Sequence, residues 1–198
     1  MKISIVERLI INNPVRAFVQ RHGEGLLLRK MASGEKYPLC LEIGCGRGVG
    51  AQVIVEQFGA EKVIATDIDP EQIKRAKRIL KSGFESKIEF KIEDAMALDE
   101  PDGKFDAVFS FGVIHHMEDW KKAVKEVSRV LKSGGEFFFE EPFRPFMRNV
   151  LTRIFAPHPR GGEFDFDELK QELEKNGIAI MKERRLGTIG IIGVGRKR

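Results

Sequence analysis

The chain has 198 residues, 42% hydrophobic and 32% charged, with a net charge of +4. This composition excludes a disordered chain and suits one globular domain with at most a small cap. The charge is mild and partly terminal, in Arg196, Lys197 and Arg198, so it gives no reason to expect nucleic acid as a partner.

Met1 to Ile11 is apolar but carries Lys2, Glu7 and Arg8. The run is too short to span a bilayer and lacks a small-residue cleavage site, so the expected location is the cytoplasm. Asn13-Pro14 marks a helix start. Val15, Phe18 and Val19, then Leu26, Leu27 and Met31, predict short amphipathic helices within residues 1–36. Such a segment packs against the following domain, caps a ligand or makes weak contact with a membrane surface.

From residue 39 strand and helix patterns alternate, which predicts a doubly wound, Rossmann-like α/β domain over residues 37–198. Leu39 to Ile43 reads as a buried strand and is followed by Gly44, Gly46, Gly48 and Gly50. Ala51, Val53, Ile54, Val55 and Phe58 predict a helix closed by Gly59. Lys62 to Thr66 is the second strand. Asp69 and Pro70 start the next helix, with Gln72 expected to complete a capping box. Lys87 to Ile92 and Phe105 to Phe109 are the third and fourth strands. Asp119 caps a helix that buries Ala123, Val124, Val127, Val130 and Leu131. Gly134-Gly135 then turn the chain into a fifth strand, Glu136 to Glu140.

Residues 142–164 lack a clean period and read as a loop holding one short helix. Phe143, Phe146, Phe155 and Phe164 with Arg144, Arg148, Arg153 and Arg160 form either a wall for a flat or acidic apolar ligand, or core and surface. Asp165 and Glu168 start a last helix that ends near Asn176-Gly177. Ile178 to Arg185 and Gly187 to Val194 are too close for a crossover helix and form an antiparallel pair. Cys40 and Cys45 make no metal set and read as small buried hydrophobes; nothing points to an oxidising compartment.

Four loops leave the carboxyl ends of the first four strands, where an open α/β sheet binds its ligands. They carry Glu42-Ile43-Gly44-Cys45-Gly46-Arg47-Gly48, then Asp67, then Glu93-Asp94-Ala95, then Ser110-Phe111-Gly112 through His115-His116. Glycines let the first backbone approach a ligand, a carboxylate at Asp67 can take ribose hydroxyls, and one at Asp94 can take an amino group.

The stretches LEIGCGRG, ATDIDP, EDA, FDAVFSFGVIHHMED and LKSGGEFFF together resemble the class I methyltransferases that use S-adenosylmethionine (SAM). The likeness is nearest to the type 11, ubiquinone/menaquinone-biosynthesis-like branch. It implies a seven-stranded, mostly parallel sheet with an antiparallel final strand. It further implies that Gly44, Cys45, Gly46 and Gly48 lie under the methionine part of SAM, with Glu42 nearby. Asp67 would hold the ribose and Ile68 would pack on the adenine. Asp94 and Ala95 would bond its edge, and Ser110 and Phe111 would line the methionyl side. His115 would face the transferring methyl group, which ends on a small-molecule acceptor and leaves S-adenosyl-L-homocysteine.

In-line transfer from a sulfonium needs alignment and desolvation, and a base only where the acceptor must lose a proton. His115, His116, Glu140 and Glu141 are the candidates; two adjacent histidines without further ligands make no metal site. Three rivals stand. Gly46-x-Gly48-x-x-Ala51 fits an NAD(P)-dependent oxidoreductase, although Glu42, Gly44 and Asp94 fit SAM better. An RNA methyltransferase is disfavoured because Ser110-Phe111-Gly112-Val113 stands where an Asn/Asp-Pro-Pro-aromatic motif belongs. The third is a non-catalytic SAM-binding protein.

Overall fold

The computed structural model describes residues 13–144 and 163–198. Met1–Ile11, Phe146, Phe155, Arg148, Arg153 and Arg160 lie outside the described residues.

The seven strands are β1 (Leu39–Ile43), β2 (Lys62–Asp67), β3 (Ile88–Ile92), β4 (Phe105–Phe111), β5 (Leu131–Pro142), β6 (Ile178–Arg185) and β7 (Gly190–Lys197). They form one sheet in the order β3-β2-β1-β4-β5-β7-β6. The first five run parallel, and β7 lies antiparallel to both β5 and β6. The strand order reverses beside β1, so the crevice of this sheet opens where β1 and β4 end.

The described helices are α1 (Pro14–Val19), α2 (Gly25–Met31), α3 (Val49–Phe58), α4 (Pro70–Ile79), α5 (Trp120–Val130) and α6 (Phe166–Lys175). A π-helical turn, Gln20–Glu24, joins α1 to α2. Central parallel strands are covered on both faces, which is why they read as near-continuous apolar runs. β5 shows this directly. Phe137 and Phe139 enter one core with Trp120 and Val124, whereas Phe138 enters the other with Phe58 and Phe109. Phe138 stacks on Phe109 at 4.6 Å between ring centroids.

Three local expectations change. Asp69 caps α4 through the Glu71 N–H at 2.9 Å, but no capping box forms with Gln72, whose side chain is buried. β7 starts at Gly190, because Leu186–Ile189 are used in a turn closed by Leu186 N–H to Gly190 C=O at 2.9 Å. β5 starts at Leu131, and Lys132–Gly135 make an excursion before regular pairing resumes at Glu136. The expected box at Asp165 and Glu168 is present, with both reciprocal bonds made. Asn13 caps α1 as its spacing predicts, by accepting from the Val15 N–H at 2.8 Å. Cys40 and Cys45 are free and buried.

Candidate functional site: a carboxylate-lined cleft at the strand ends

The first loop folds back on itself because its glycines permit it. Gly44 has φ +62°, a region that L side chains avoid. A methyl group on it would meet Val113 Cγ2 at 2.3 Å. Gly50 leaves room for a carboxylate: a Cβ there would lie 1.9 Å from Glu42 Oε1. Glu42 is buried and accepts from the Ala51 N–H. Its Oε2 has no hydrogen-bond partner among the described residues. Burial, and then the charge of Asp67, holds its carboxyl well above the usual range.

Asp67 binds the first loop to the second. Its Oδ2 accepts from Gly46 N–H at 2.8 Å and its Oδ1 from Asp69 N–H at 2.9 Å. A carboxylate offers about four lone-pair sites, so roughly two remain for a ligand. Burial raises its pKa, and the two N–H donors offset part of that rise. Asp94 holds its own loop in a similar way, by accepting from Met96 N–H at 2.9 Å.

A cavity of about 370 Å³ opens between these loops. Gly44 lines it after β1, Asp67 and Ile68 after β2, and Glu93, Asp94, Ala95 and Met96 after β3. Val113, His116, Met117 and Glu118 complete it after β4. All four expected loops therefore share one cleft. Of the expected site residues, Gly44, Asp67, Ile68, Asp94 and Ala95 are on its wall. Glu42 and Cys45 are buried beside the glycine loop, and Gly46 and Gly48 shape that loop through Gly46 N–H to Asp67 and Gly48 N–H to the Cys45 carbonyl at 2.8 Å.

The loop after β4 differs most from expectation. Ser110, Phe111 and His115 are buried, and His116 rather than His115 reaches the cavity wall. The organiser is Glu141, fully buried on β5. It accepts from Ser110 Oγ at 2.7 Å, from the N–H groups of Val113, Ile114 and His115 at 3.2, 3.0 and 3.3 Å, and bonds His115 Nδ1 at 2.8 Å. Burial raises its pKa and these donors restrain the rise. Glu141 was visible in the sequence only as a base candidate. Its donors lie 26–31 residues away in the chain, so no local pattern reveals the role.

Among the described residues the cavity wall carries four carboxylates, on Asp67, Glu93, Asp94 and Glu118, and no Lys or Arg. Burial, and then the neighbouring Glu100, raises the pKa of Glu93. Such a wall suits a cation and opposes a pyrophosphate. The residues fit SAM: carboxylates for the ribose, the adenine amino group and positive charge, with Ile68, Ala95, Val113 and Met117 as apolar surface. No group of three or more His, Cys, Asp or Glu among the described residues could hold a metal ion.

This fold and cleft are of the Rossmann-like methyltransferase kind. Residues 41–139 match the family described as "Methyltransferase domain", and the chain belongs to that family, the type 11 branch of class I. It is similar to the 2-methyl-6-phytyl-1,4-hydroquinone methyltransferase of Synechocystis sp., at 39% identity over 48% of this chain and 29% of the relative. The ubiquinone biosynthesis O-methyltransferase of Idiomarina loihiensis is 30% identical over 75% of this chain and 57% of its own. The chain thus spans about three to six tenths of the length of these curated relatives. A protein of Pyrococcus horikoshii superposes with a TM-score of 0.77 at 24% identity, covering 95% of this chain and 93% of that one, which establishes the fold.

Proposed function

We propose that this chain binds SAM in the cleft and directs its methyl group to a small apolar acceptor bearing a hydroxyl group, of the quinol kind. The observation that carries the donor assignment is the cavity wall of four carboxylates, with no basic side chain among the described residues that line it. SAM brings a sulfonium and an ammonium group, and NAD(P) brings a pyrophosphate, so the wall discriminates between them by charge. When bound, SAM supplies an activated methyl group whose bond to sulfur breaks with the electron pair left on sulfur. The chain's own part is placement. Gly44 lets the backbone approach, Asp67 retains free lone pairs for the ribose, and Glu141 fixes the β4 loop so that Val113 and His116 hold their positions. The acceptor class is supported by the relatives named for a hydroquinone and for ubiquinone biosynthesis.

Titration calorimetry with S-adenosylhomocysteine, and separately with NADH, tests the donor. Binding of the first alone is the expected result, and binding of NADH alone would overturn the reading. Labelled SAM offered with 2-methylhydroquinone, catechol and 4-hydroxybenzoate then tests the acceptor.

A further inference from the structure

Glu140 and Glu141 are neighbours on β5 that face opposite sides of the sheet, and they differ in how far their oxygens are used. Glu141 is saturated by five donors. Glu140 is reached by one described group, Arg16 of α1, whose Nη2 stands 3.5 Å from Oε2. That is the outer limit of a hydrogen bond. The Glu140 side chain keeps 25% exposure, so a ligand or water can reach it.

A glycine lets the end of β4 approach this carboxylate closely. Gly112 has φ +68°, and a methyl group on it would lie 3.1 Å from Glu140 Oε2 and 3.8 Å from His115 Cε1. The next residue, Val113, lines the cavity. A half-used carboxylate on β5 thus packs against the glycine that precedes the cleft-lining Val113 at the end of β4.

We propose that Glu140 binds the acceptor's hydroxyl and takes its proton, with Arg16 as the counter-charge. This rests on the methyl-transfer reading above and names the residue that would serve its acceptor. Arg16 of α1 and Glu24 of the following π-helical turn are the charged groups on the Glu140 side of the sheet; Glu141, on the opposite face, acts on it through its charge, and His115 lies beyond Gly112. Arg16 also bonds Glu24 Oε2 at 2.7 Å, which fixes the guanidinium in place. A cationic amine would be repelled by that guanidinium. A neutral phenol would not, and the negative charge that develops on its oxygen would be stabilised. Burial, then Glu24, raises the Glu140 pKa while Arg16 lowers it, so the carboxylate is a stronger base than an exposed glutamate. In the balanced step the acceptor oxygen gains the methyl carbon and loses its proton to Glu140, which returns it to water.

The test compares full-length wild type, Glu140→Gln and Arg16→Gln, using the three phenols above and N-methylbenzylamine. Wild type should methylate at least one phenol. Glu140→Gln should lower kcat by about tenfold or more and remove the acidic limb of its pH profile, with S-adenosylhomocysteine affinity unchanged and no loss of melting temperature. Arg16→Gln should keep that limb and move it to higher pH. An intact acidic limb in Glu140→Gln would overturn the proposal, as would an equal loss of S-adenosylhomocysteine affinity. A wild type that binds S-adenosylhomocysteine but leaves every phenol unmethylated overturns the Glu140 role while donor binding stands. Failure to bind S-adenosylhomocysteine sinks the donor reading itself.

Discussion

Glu136 and Glu140 lie on one strand at opposite ends of the parallel sheet, and their surroundings differ in kind. At the amino end Glu136 accepts from Ser33 N–H at 3.3 Å, from the Ser33 and Tyr37 hydroxyls, and from Arg196 Nη2 at 3.0 Å. Burial alone would raise its pKa, yet these donors bring it below the usual range. Tyr37 is pushed up to about 12 by burial and by Glu136. At the carboxyl end Glu42, Asp67, Glu93, Glu140 and Glu141 all move upward, with burial as the first cause. One end spends its polar groups on one another and ties the amino-terminal segment to β5 and β7. The other keeps its carboxylates desolvated and, apart from Glu141, incompletely partnered, which is how a ligand site differs from a structural latch.

The largest way to break this comparison is Glu136→Ala. It removes the acceptor shared by Ser33, Tyr37 and Arg196, and Arg196 keeps solvent and the Ser33 hydroxyl, so the expected cost is about 2 kcal/mol of stability, with S-adenosylhomocysteine affinity of the folded protein unchanged. Its pH behaviour follows from the lowered pKa: the contribution is present above the unfolded value of about 4.3 and is lost as pH falls through the folded value. Denaturant melts with a parallel calorimetric titration check both. Asp67→Ala should do the reverse at the other end. Affinity for SAM should fall on the order of tenfold or more, as removal of charge-assisted bonds worth roughly 1.5–3 kcal/mol predicts. Unchanged affinity would remove Asp67 from the ribose site.

Glu42→Gln is a smaller test. A carboxyl with a raised folded pKa costs stability once the unfolded chain has released its proton. The cost is absent below about pH 4.3 and grows as pH rises toward the folded value. The amide that replaces the carboxyl has no proton to lose, so the variant should gain about 1 kcal/mol at pH 8, and the gain should vanish at pH 4. A gain independent of pH would mean that packing, not ionisation, sets it.

What the sequence revealed divides along the same line as these effects. The β1–β4 strands, their four loops and the Asp165-Glu168 box were legible because period, glycine position and capping are local. The failed box at Asp69 was not, because Gln72 is drawn into the core by tertiary packing. Neither was Glu141, whose partners come from another strand's loop. Nor could spacing decide which of two adjacent histidines faces the cleft, since Ile114–His116 form a 3-10 turn whose orientation Glu141 imposes.

The amino-terminal helices give the smallest and sharpest case. Val15, Phe18, Val19 and Leu26 repeat at helical spacing, which predicts a buried stripe. They are 44–66% exposed instead. The face turned toward α3 is set by Gly25, where an added Cβ would sit 2.6 Å from Val53 Cγ1, and by the buried Leu28. Close approach at a glycine fixes the rotation of the segment and leaves the larger residues outside. Phe18, with its ring against His22 at 4.6 Å, has little to lose. Phe18→Ser should change stability by no more than about 0.5 kcal/mol, whereas a buried phenylalanine truncated this far would cost about 3 kcal/mol or more. A thermal melt separates the two outcomes, and a loss of the larger size would mean that the apolar stripe packs inward after all.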